Sequence, residues 1–184
     1  MKNKSIREMV LSGLFIAIGI ILPMAFHAFG LGSTFSPMHI PVLLAGFVIG
    51  PFYAASVGVI TPILSSLFTG LPPAFPVLPY MVFELATYGL ITSILYRKFR
   101  QNIYVSLVAS MVAGRIVSGI IVWIIATLFT TQLPSPVAFV IGSVTGGIPG
   151  IIIQIIFIPL IVMMLNRNSL ILREEARKEV KNES

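Results

Sequence analysis

Cysteine and aspartate are both absent from the sequence, and charged residues of either sign are scarce. Without cysteine the chain can form no disulfide, no thiolate metal site and no thiol nucleophile. All six acidic residues are glutamates and there are only two histidines, which leaves little material for a metal cluster or a carboxylate dyad. We therefore predict neither a metal nor a cofactor.

The shortage of charge is accompanied by an excess of apolar residues. Only 10% of the residues are charged, 57% are hydrophobic, and the mean hydropathy is +1.01. A soluble domain carries about 25% charged residues. No residue from 9 to 83 is Asp, Glu, Lys or Arg. The apolar runs in the sequence are continuous rather than alternating with polar residues, which favours membrane helices over a membrane β-barrel. The composition predicts an all-α integral membrane protein embedded in the lipid bilayer.

Six apolar segments are separated by turns that are rich in Gly, Ser, Pro or charge. We predict transmembrane helices at about 6–27, 37–51, 52–69, 78–96, 103–129 and 137–165. The second segment is short for a membrane crossing, whereas the last is long, and GSVTGGIPG predicts a break toward its first end. The predicted domains are a six-helix transmembrane domain, residues 1–166, and a charged cytoplasmic tail, residues 167–184.

The basic residues predict the orientation, because Lys and Arg are enriched in cytoplasmic segments of membrane proteins. With six membrane crossings, eleven of the twelve basic residues fall on the side that holds both termini and residues 97–100. We therefore predict that both termini are cytoplasmic. These residues lie at helix ends rather than on one folded face, so nucleic acid is not an expected partner.

Two residues of opposite charge lie inside predicted transmembrane helices. Counted along the helices, Glu84 is about 9 Å and Arg115 about 12 Å from the outer edge of a bilayer core of about 30 Å. At similar depth they can form a structural ion pair, or they can face a cavity and hold a polar ligand. Charges inside a membrane often mark a ligand path, which favours the second interpretation.

Other polar side chains are spaced so that they can join this pair. Tyr80, Glu84 and Tyr88 share one face of the fourth predicted helix. Ser65 belongs to a row of hydroxyls in the third helix, although such hydroxyls bond equally well to carbonyls of their own helix. His39 starts the second helix at matching depth, where it serves either as an interfacial anchor or as a ligand contact. The predicted substrate-binding residues are Glu84, Arg115, His39, Tyr80, Tyr88 and Ser65.

From its first predicted helix to about residue 165, the chain resembles the substrate-binding (S) component of an energy-coupling factor (ECF) vitamin transporter. The resemblance rests on size, on six helices and on an ordered set of segments: PMHIPVLLAGFVIGP, TGLPP, FELATYGL with Glu84, GRIVSG with Arg115, and IPGIIIQ. It implies a subunit that is not an enzyme and that captures a vitamin outside a bacterial plasma membrane, under a lid at 28–36. It also implies docking on a membrane coupling subunit that is powered by two cytoplasmic ATPases.

The resemblance further assigns a docking role to the first helix. Gly13 and Ala17 occupy the place where small residues of the family meet the coupling subunit, with Gly where Ala is usual. Small residues at this spacing allow two membrane helices to approach closely. The chain has no Gly-rich phosphate loop and no Walker lysine, which fits a subunit that does not itself hydrolyse ATP.

The overall pattern is most similar to the pantothenate-type members of the family. Arg115 would suit a carboxylate and Glu84 a hydroxyl or amide donor. Because S components share one fold while binding different vitamins, folate, niacin, a pyridoxine- or pyrimidine-type ligand and a cobalamin precursor are alternatives. Two other classes of function compete with a vitamin-binding subunit. The first is a membrane enzyme, which would be expected to contain a GxSxG motif or several Asp residues; the chain has neither. The second is a standalone ion-coupled carrier that uses Glu84. Such carriers are often built from an inverted repeat, and none is obvious in this sequence.

Overall fold

A computed structural model describes residues 2–28, 30, 35–129 and 135–182, and in these ranges the chain is helical without any strand. The described part of the chain forms seven α-helices: α1 (Lys2–Ala28), α2 (His39–Val48), α3 (Pro51–Thr69), α4 (Val77–Ser93), α5 (Ile103–Phe129), α6 (Pro136–Gly146) and α7 (Ile148–Asn182). A π-helical turn, Ile94–Lys98, extends α4. Most of the predicted lid at 28–36 lies outside the described residues.

The helix lengths confirm the predicted all-α class. Five helical segments in the described chain are long and apolar enough to cross a membrane: Ser5–Phe26, Pro51–Thr69, Val77–Lys98, Ile103–Leu128 and Ile148–Arg167. The apolar stretches in α2 and α6, His39–Val48 and Val137–Gly146, are shorter than a membrane crossing. The last predicted helix is divided at Gly147, so the break expected in GSVTGGIPG separates α6 from α7. Helix α7 then continues past residue 166, the predicted end of the transmembrane domain.

Local sequence explains where α3 begins and ends. Pro51 occupies the first turn of α3, where its missing N–H costs no hydrogen bond, and Gly50 precedes it in an extended conformation. Gly70 ends the helix with a φ of 72°, and its N–H donates to the carbonyl of Ser66 at 2.9 Å. The Pro-rich connection that follows, residues 71–76, cannot continue the helix and leads the chain to α4.

Helix α4 is the centre of the bundle, and glycines on its neighbours let it be surrounded closely. A Cβ added at Gly58 of α3 would collide with the backbone of α4 at Leu85, and one added at Gly114 of α5 would collide with the Tyr88 ring. On α2, Gly46 faces Thr92 in the same way. These glycines therefore allow the neighbouring backbones to approach α4 closely. As a result, α4, which carries Glu84, is surrounded by other helices.

Apolar side chains fill the spaces between these helices. Val42 and Leu43 of α2, Val57 of α3, Leu85 of α4 and Leu107 of α5 are all fully buried. Many other large apolar side chains are exposed on the outer surfaces of the bundle. Exposed apolar surface on this scale is the pattern of helices that face lipid rather than water.

Polar contacts join the helices at the end of the bundle where α4 finishes. The Arg97 guanidinium donates to the Val48 carbonyl at 2.8 Å and lies 3.6 Å from the Glu8 carboxylate, with 30% of the Arg97 side chain exposed. Ser93 donates to the Ile49 carbonyl at 2.8 Å. These contacts tie α1, the α2–α3 turn and α4 together at the end opposite Glu84.

Candidate ligand-binding site

A cavity of about 540 Å³ lies beside the first half of α4. Its volume falls within the range of roughly 300–1,000 Å³ that is usual for small-molecule sites. The wall combines parts of α1, α2, α3, α4, α5 and α6 with the Pro-rich connection between α3 and α4. The lining residues are Pro23, Met24, Ser36, Pro37, Met38, His39, Ser65, Thr69, Leu71, Pro72, Pro73, Val77, Tyr80, Met81, Glu84, Arg115, Phe139 and Ser143.

Three side chains converge on one carboxylate oxygen in this wall. Glu84 Oε1 lies 2.9 Å from Arg115 Nη1, accepts a hydrogen bond from the Tyr88 hydroxyl at 2.7 Å, and lies 3.4 Å from His39 Nε2. The Glu84 side chain is only 2% exposed. A carboxylate buried this deeply needs such partners, because an isolated charge is costly to remove from water.

Arg115 reaches Glu84 because α5 packs tightly against α4. The preceding residue, Gly114, brings the α5 backbone against the Tyr88 ring and near the Glu84 carbonyl, so both charges face the same space. The Arg115 side chain is 16% exposed, and Glu84 is its ion-pair partner among the described residues. Among the described residues no other acceptor is paired with this guanidinium, so its remaining N–H donors could bind a ligand.

His39 enters the cavity from the first residue of α2. Its backbone N–H donates to the Ser36 carbonyl at 3.0 Å, and its ring packs against Tyr88 with the ring centroids 5.4 Å apart. Within the described chain the second ring nitrogen, Nδ1, is buried and has no hydrogen-bond partner. A buried polar atom without a partner is uncommon in folded proteins and indicates an unfilled interaction.

The rest of the wall is mainly apolar. Tyr80 of α4 and Phe139 of α6 meet edge to face, with their ring centroids 4.9 Å apart. Pro23 and Met24 of α1 and Leu71 of the connection contribute further apolar surface. The cavity therefore has one end that carries charges and a larger remainder that would contact the carbon skeleton of a ligand.

The structure brings most of the predicted substrate-binding residues together. Glu84, Arg115, His39, Tyr80 and Ser65 all line the cavity. Tyr88 is 1% exposed and lies behind Glu84, so it orients the carboxylate without lining the cavity.

The Ser65 hydroxyl donates its hydrogen bond within the protein. It donates to the Leu71 carbonyl at 2.7 Å, while the neighbouring Ser66 hydroxyl donates to the Pro72 carbonyl at 2.7 Å. Both hydroxyls therefore hold the Pro-rich connection against the end of α3. What Ser65 can offer a ligand is the acceptor capacity of its oxygen.

Phe139 and Ser143 were not among the predicted site residues. They lie on α6, a short helix whose sequence, PVAFVIGSVTG, is mostly apolar, and no periodicity marks the face that lines the cavity. The break expected at GSVTGG could have indicated Phe139 and Ser143. A break there produces a short helix that ends beside the site, and the last turns of such a helix can line the cavity.

Gly13 and Ala17 lie on an exposed face of α1. In the described part of the chain, no atom beyond the nearby backbone of α1 comes within 4 Å of a Cβ added at Gly13, whereas one added at Gly19, on the other side of α1, would collide with Thr61 of α3. The two small residues therefore face away from the helical bundle.

The groups at the charged end of the cavity can bind the polar end of a small molecule. No group of three or more His, Cys, Asp or Glu in the described chain could hold a metal ion. The charged end of the cavity offers N–H donors from Arg115 and acceptors on Glu84 and His39. Such a site can fix the polar end of a small molecule while the apolar wall contacts the remainder.

Comparison with known proteins identifies the family of this chain. The family model for the ECF transporter, substrate-specific component, matches residues 7–164. No curated protein and no solved structure gives a match. The matched region includes α1 from its second turn onward, the whole of the cavity, and most of the membrane-crossing part of α7. The chain therefore belongs to the family of substrate-specific components of ECF transporters, which are membrane-embedded, substrate-binding subunits rather than enzymes.

Proposed function

We propose that this chain is the high-affinity S component of an ATP-driven ECF importer in a bacterial plasma membrane, and that its substrate is the water-soluble vitamin pantothenate. It captures the vitamin outside and releases it inside after docking on a membrane coupling subunit that carries two cytoplasmic ATPases. The observation that carries this proposal is the cavity of about 540 Å³ with the Glu84–Arg115 pair in its wall.

Pantothenate has the chemical groups that this cavity would recognise. Its carboxylate would accept charge-assisted hydrogen bonds from the Arg115 guanidinium. Its amide N–H and hydroxyls would donate to Glu84, and its methyl groups would lie against Tyr80 and Phe139. Charged residues inside a membrane helix are costly, so a ligand-binding role accounts for their presence here.

The proposed topology has six crossings with both termini in the cytoplasm. In it, α6 and the start of α7 together make the last crossing, and α2 forms a short second one. Arg97 and the charged tail then lie on the cytoplasmic side, in accordance with the bias of basic residues. The cavity lies toward the opposite end of α4, where a vitamin arriving from outside would reach it.

The proposed docking surface is the exposed face of α1 around Gly13 and Ala17. Val10, Leu14 and Ile18 flank these small residues and are also exposed, so the face is apolar with a shallow centre. A helix of the coupling subunit could approach closely along such a face. Replacing Gly13 with Leu should therefore abolish ATP-dependent uptake by the whole transporter while leaving vitamin binding by the isolated subunit unchanged.

The decisive experiment is to identify the small molecule that purifies with the protein. Native mass spectrometry of the subunit, followed by calorimetry with a vitamin panel, should give one pantothenate per chain without any ATP, and Arg115→Ala should weaken that binding at least tenfold. Full affinity in both Arg115→Ala and Glu84→Ala would show that the vitamin binds elsewhere. An empty protein that binds no vitamin, but supports uptake driven by a proton gradient in vesicles without ATPase, would instead identify a standalone carrier.

A further inference from the structure

When His39 is neutral, the charged end of the cavity carries no net charge before a ligand binds. Glu84 and Arg115 form a pair at 2.9 Å, and a neutral His39 adds no charge. A carboxylate that enters this space adds a negative charge which no side chain of the pair is free to cancel. Uncompensated charge in a buried site is strongly unfavourable, so something else must accompany the anion.

Few side chains near the charged end could change their protonation state to balance the charge of a bound carboxylate. Facing this end of the cavity are His39 from α2, Tyr80 and Glu84 from α4, with Tyr88 behind them, and Arg115 from α5. Among the described side chains, those that line the cavity from α1, α3, α6 and the Pro-rich connection include no charged or titratable group. Tyrosine and arginine ordinarily hold their protons at neutral pH, which leaves His39 and Glu84.

His39 has an open position for a proton. Its Nε2 lies 3.4 Å from Glu84 Oε1, so the neutral ring directs its one N–H toward the carboxylate and leaves Nδ1 as a bare acceptor. Among the residues that the structure describes, Nδ1 has no hydrogen-bond partner, and His39 is 5% exposed. Histidine is also the side chain whose unperturbed pKa, about 6.5, lies nearest to physiological pH.

We propose that His39 is a proton-binding site which fills when a carboxylate ligand binds, so that one proton and one anion occupy the cavity together. The proton comes from solvent and bonds to Nδ1, and the resulting imidazolium pairs with Glu84 through its Nε2–H. Arg115 can then direct its remaining donors to the ligand carboxylate, and the total charge of the filled cavity is zero. This inference rests on the proposed function, because it requires an anionic vitamin.

The first test needs no variant. Calorimetric titration of the full chain with pantothenate, in two buffers that differ in their ionisation enthalpy, measures the protons taken up on binding. We expect close to one proton per vitamin at pH 7.5, and a Kd that rises about tenfold per pH unit over the range in which one proton is taken up. Panthenol, in which an alcohol replaces the carboxylate, is the matched neutral ligand and should bind without proton uptake.

Two variants locate the proton. His39→Gln keeps an amide N–H for Glu84 but cannot be protonated, so its pantothenate binding should involve no proton uptake and should not vary with pH. Tyr104→Phe changes an exposed tyrosine in the first turn of α5, outside the cavity, and should retain the uptake of one proton. Persistent uptake in His39→Gln would overturn the assignment to His39.

The remaining outcomes separate this inference from the proposed function. Tight binding of pantothenate by the unaltered chain without proton uptake would overturn the proton site and leave the vitamin-binding function intact. Equal proton uptake with panthenol and pantothenate would also overturn it, because the neutral ligand brings no charge to balance. Failure of every carboxylate vitamin to bind would overturn both.

Discussion

Replacing Arg115 with Met should destabilise the empty protein strongly. Methionine keeps an unbranched side chain of similar length but removes the charge that lies 2.9 Å from Glu84. The Tyr88 hydroxyl and the His39 ring would still contact the carboxylate, yet neither carries a full positive charge when His39 is neutral. Glu84, with a 2% exposed side chain, would then be a buried anion without a counter-charge.

Two independent arguments give the size of this effect. Unit charges about 4 Å apart attract each other by about 4 kcal/mol at an effective dielectric constant of about 20. An unpaired carboxylate can also take up a proton, which at pH 7 costs about 3.7 kcal/mol for a group with an ordinary pKa of about 4.3. The loss in unfolding free energy should therefore be about 3–4 kcal/mol at pH 7, in line with the usual cost of breaking a buried ion pair.

The assay is reversible unfolding in mixed micelles, measured from pH 5 to pH 7. Because protonation of Glu84 limits the loss in the variant, the loss should shrink by about 1.4 kcal/mol for each pH unit below 7. Glu8→Gln is the matched control: it removes the charge from the longer, more exposed pair with Arg97 and leaves the hydrogen bond from Arg97 to the Val48 carbonyl in place, so it should cost at most about 1 kcal/mol. Equal losses for the two variants, or a loss for Arg115→Met that does not depend on pH, would refute the argument.

Three further substitutions test other parts of the structure. Tyr88→Phe removes the hydroxyl that donates to Glu84 and should lower the unfolding free energy by about 1–3 kcal/mol, with little change in the cavity itself. Gly58→Ala should cost more than about 2 kcal/mol in the same assay because the new Cβ meets the α4 backbone, while Gly13→Ala, which points into open space, should cost less than about 0.5 kcal/mol. Phe139→Ala removes one ring from the apolar wall and should weaken vitamin binding about tenfold, as calorimetry would show, since a buried aromatic contact contributes about 1.5 kcal/mol.

The sequence allowed the charged end of the site to be predicted because charge is so scarce in this chain. Two opposite charges at similar depth in neighbouring apolar helices have few partners other than each other, and the structure pairs Glu84 with Arg115 directly. The helix bounds were also predictable, since Pro and Gly mark the turns, and α5 runs from Ile103 to Phe129 as expected.

Other features could not be predicted because they depend on packing between helices. The spacing that put Tyr88 on the same face as Glu84 does not show that Gly114 closes over Tyr88 and keeps it out of the cavity. Similarly, the row of hydroxyls in α3 predicts a polar face, but only the fold of the Pro-rich connection gives Ser65 the Leu71 carbonyl as its acceptor. The part played by α6 depends on where the chain bends back, and local sequence does not contain that information.

The glycine contacts of α4 also bear on which helix around the cavity can move. Gly58 of α3 lies against α4 at Leu85, and Gly89 of α4 lies against α3 at Ala54, so the two backbones touch at two levels without side chains between them to rearrange. We expect this contact between α3 and α4 to be rigid, because the distance between the two helices cannot change by rotation of a side chain. Helix α6, which ends at Gly146, instead presents the Phe139 ring and the Ser143 side chain to the cavity. Of the helices that line the cavity, α6 is therefore the one that we expect to move outward when a bulkier ligand binds.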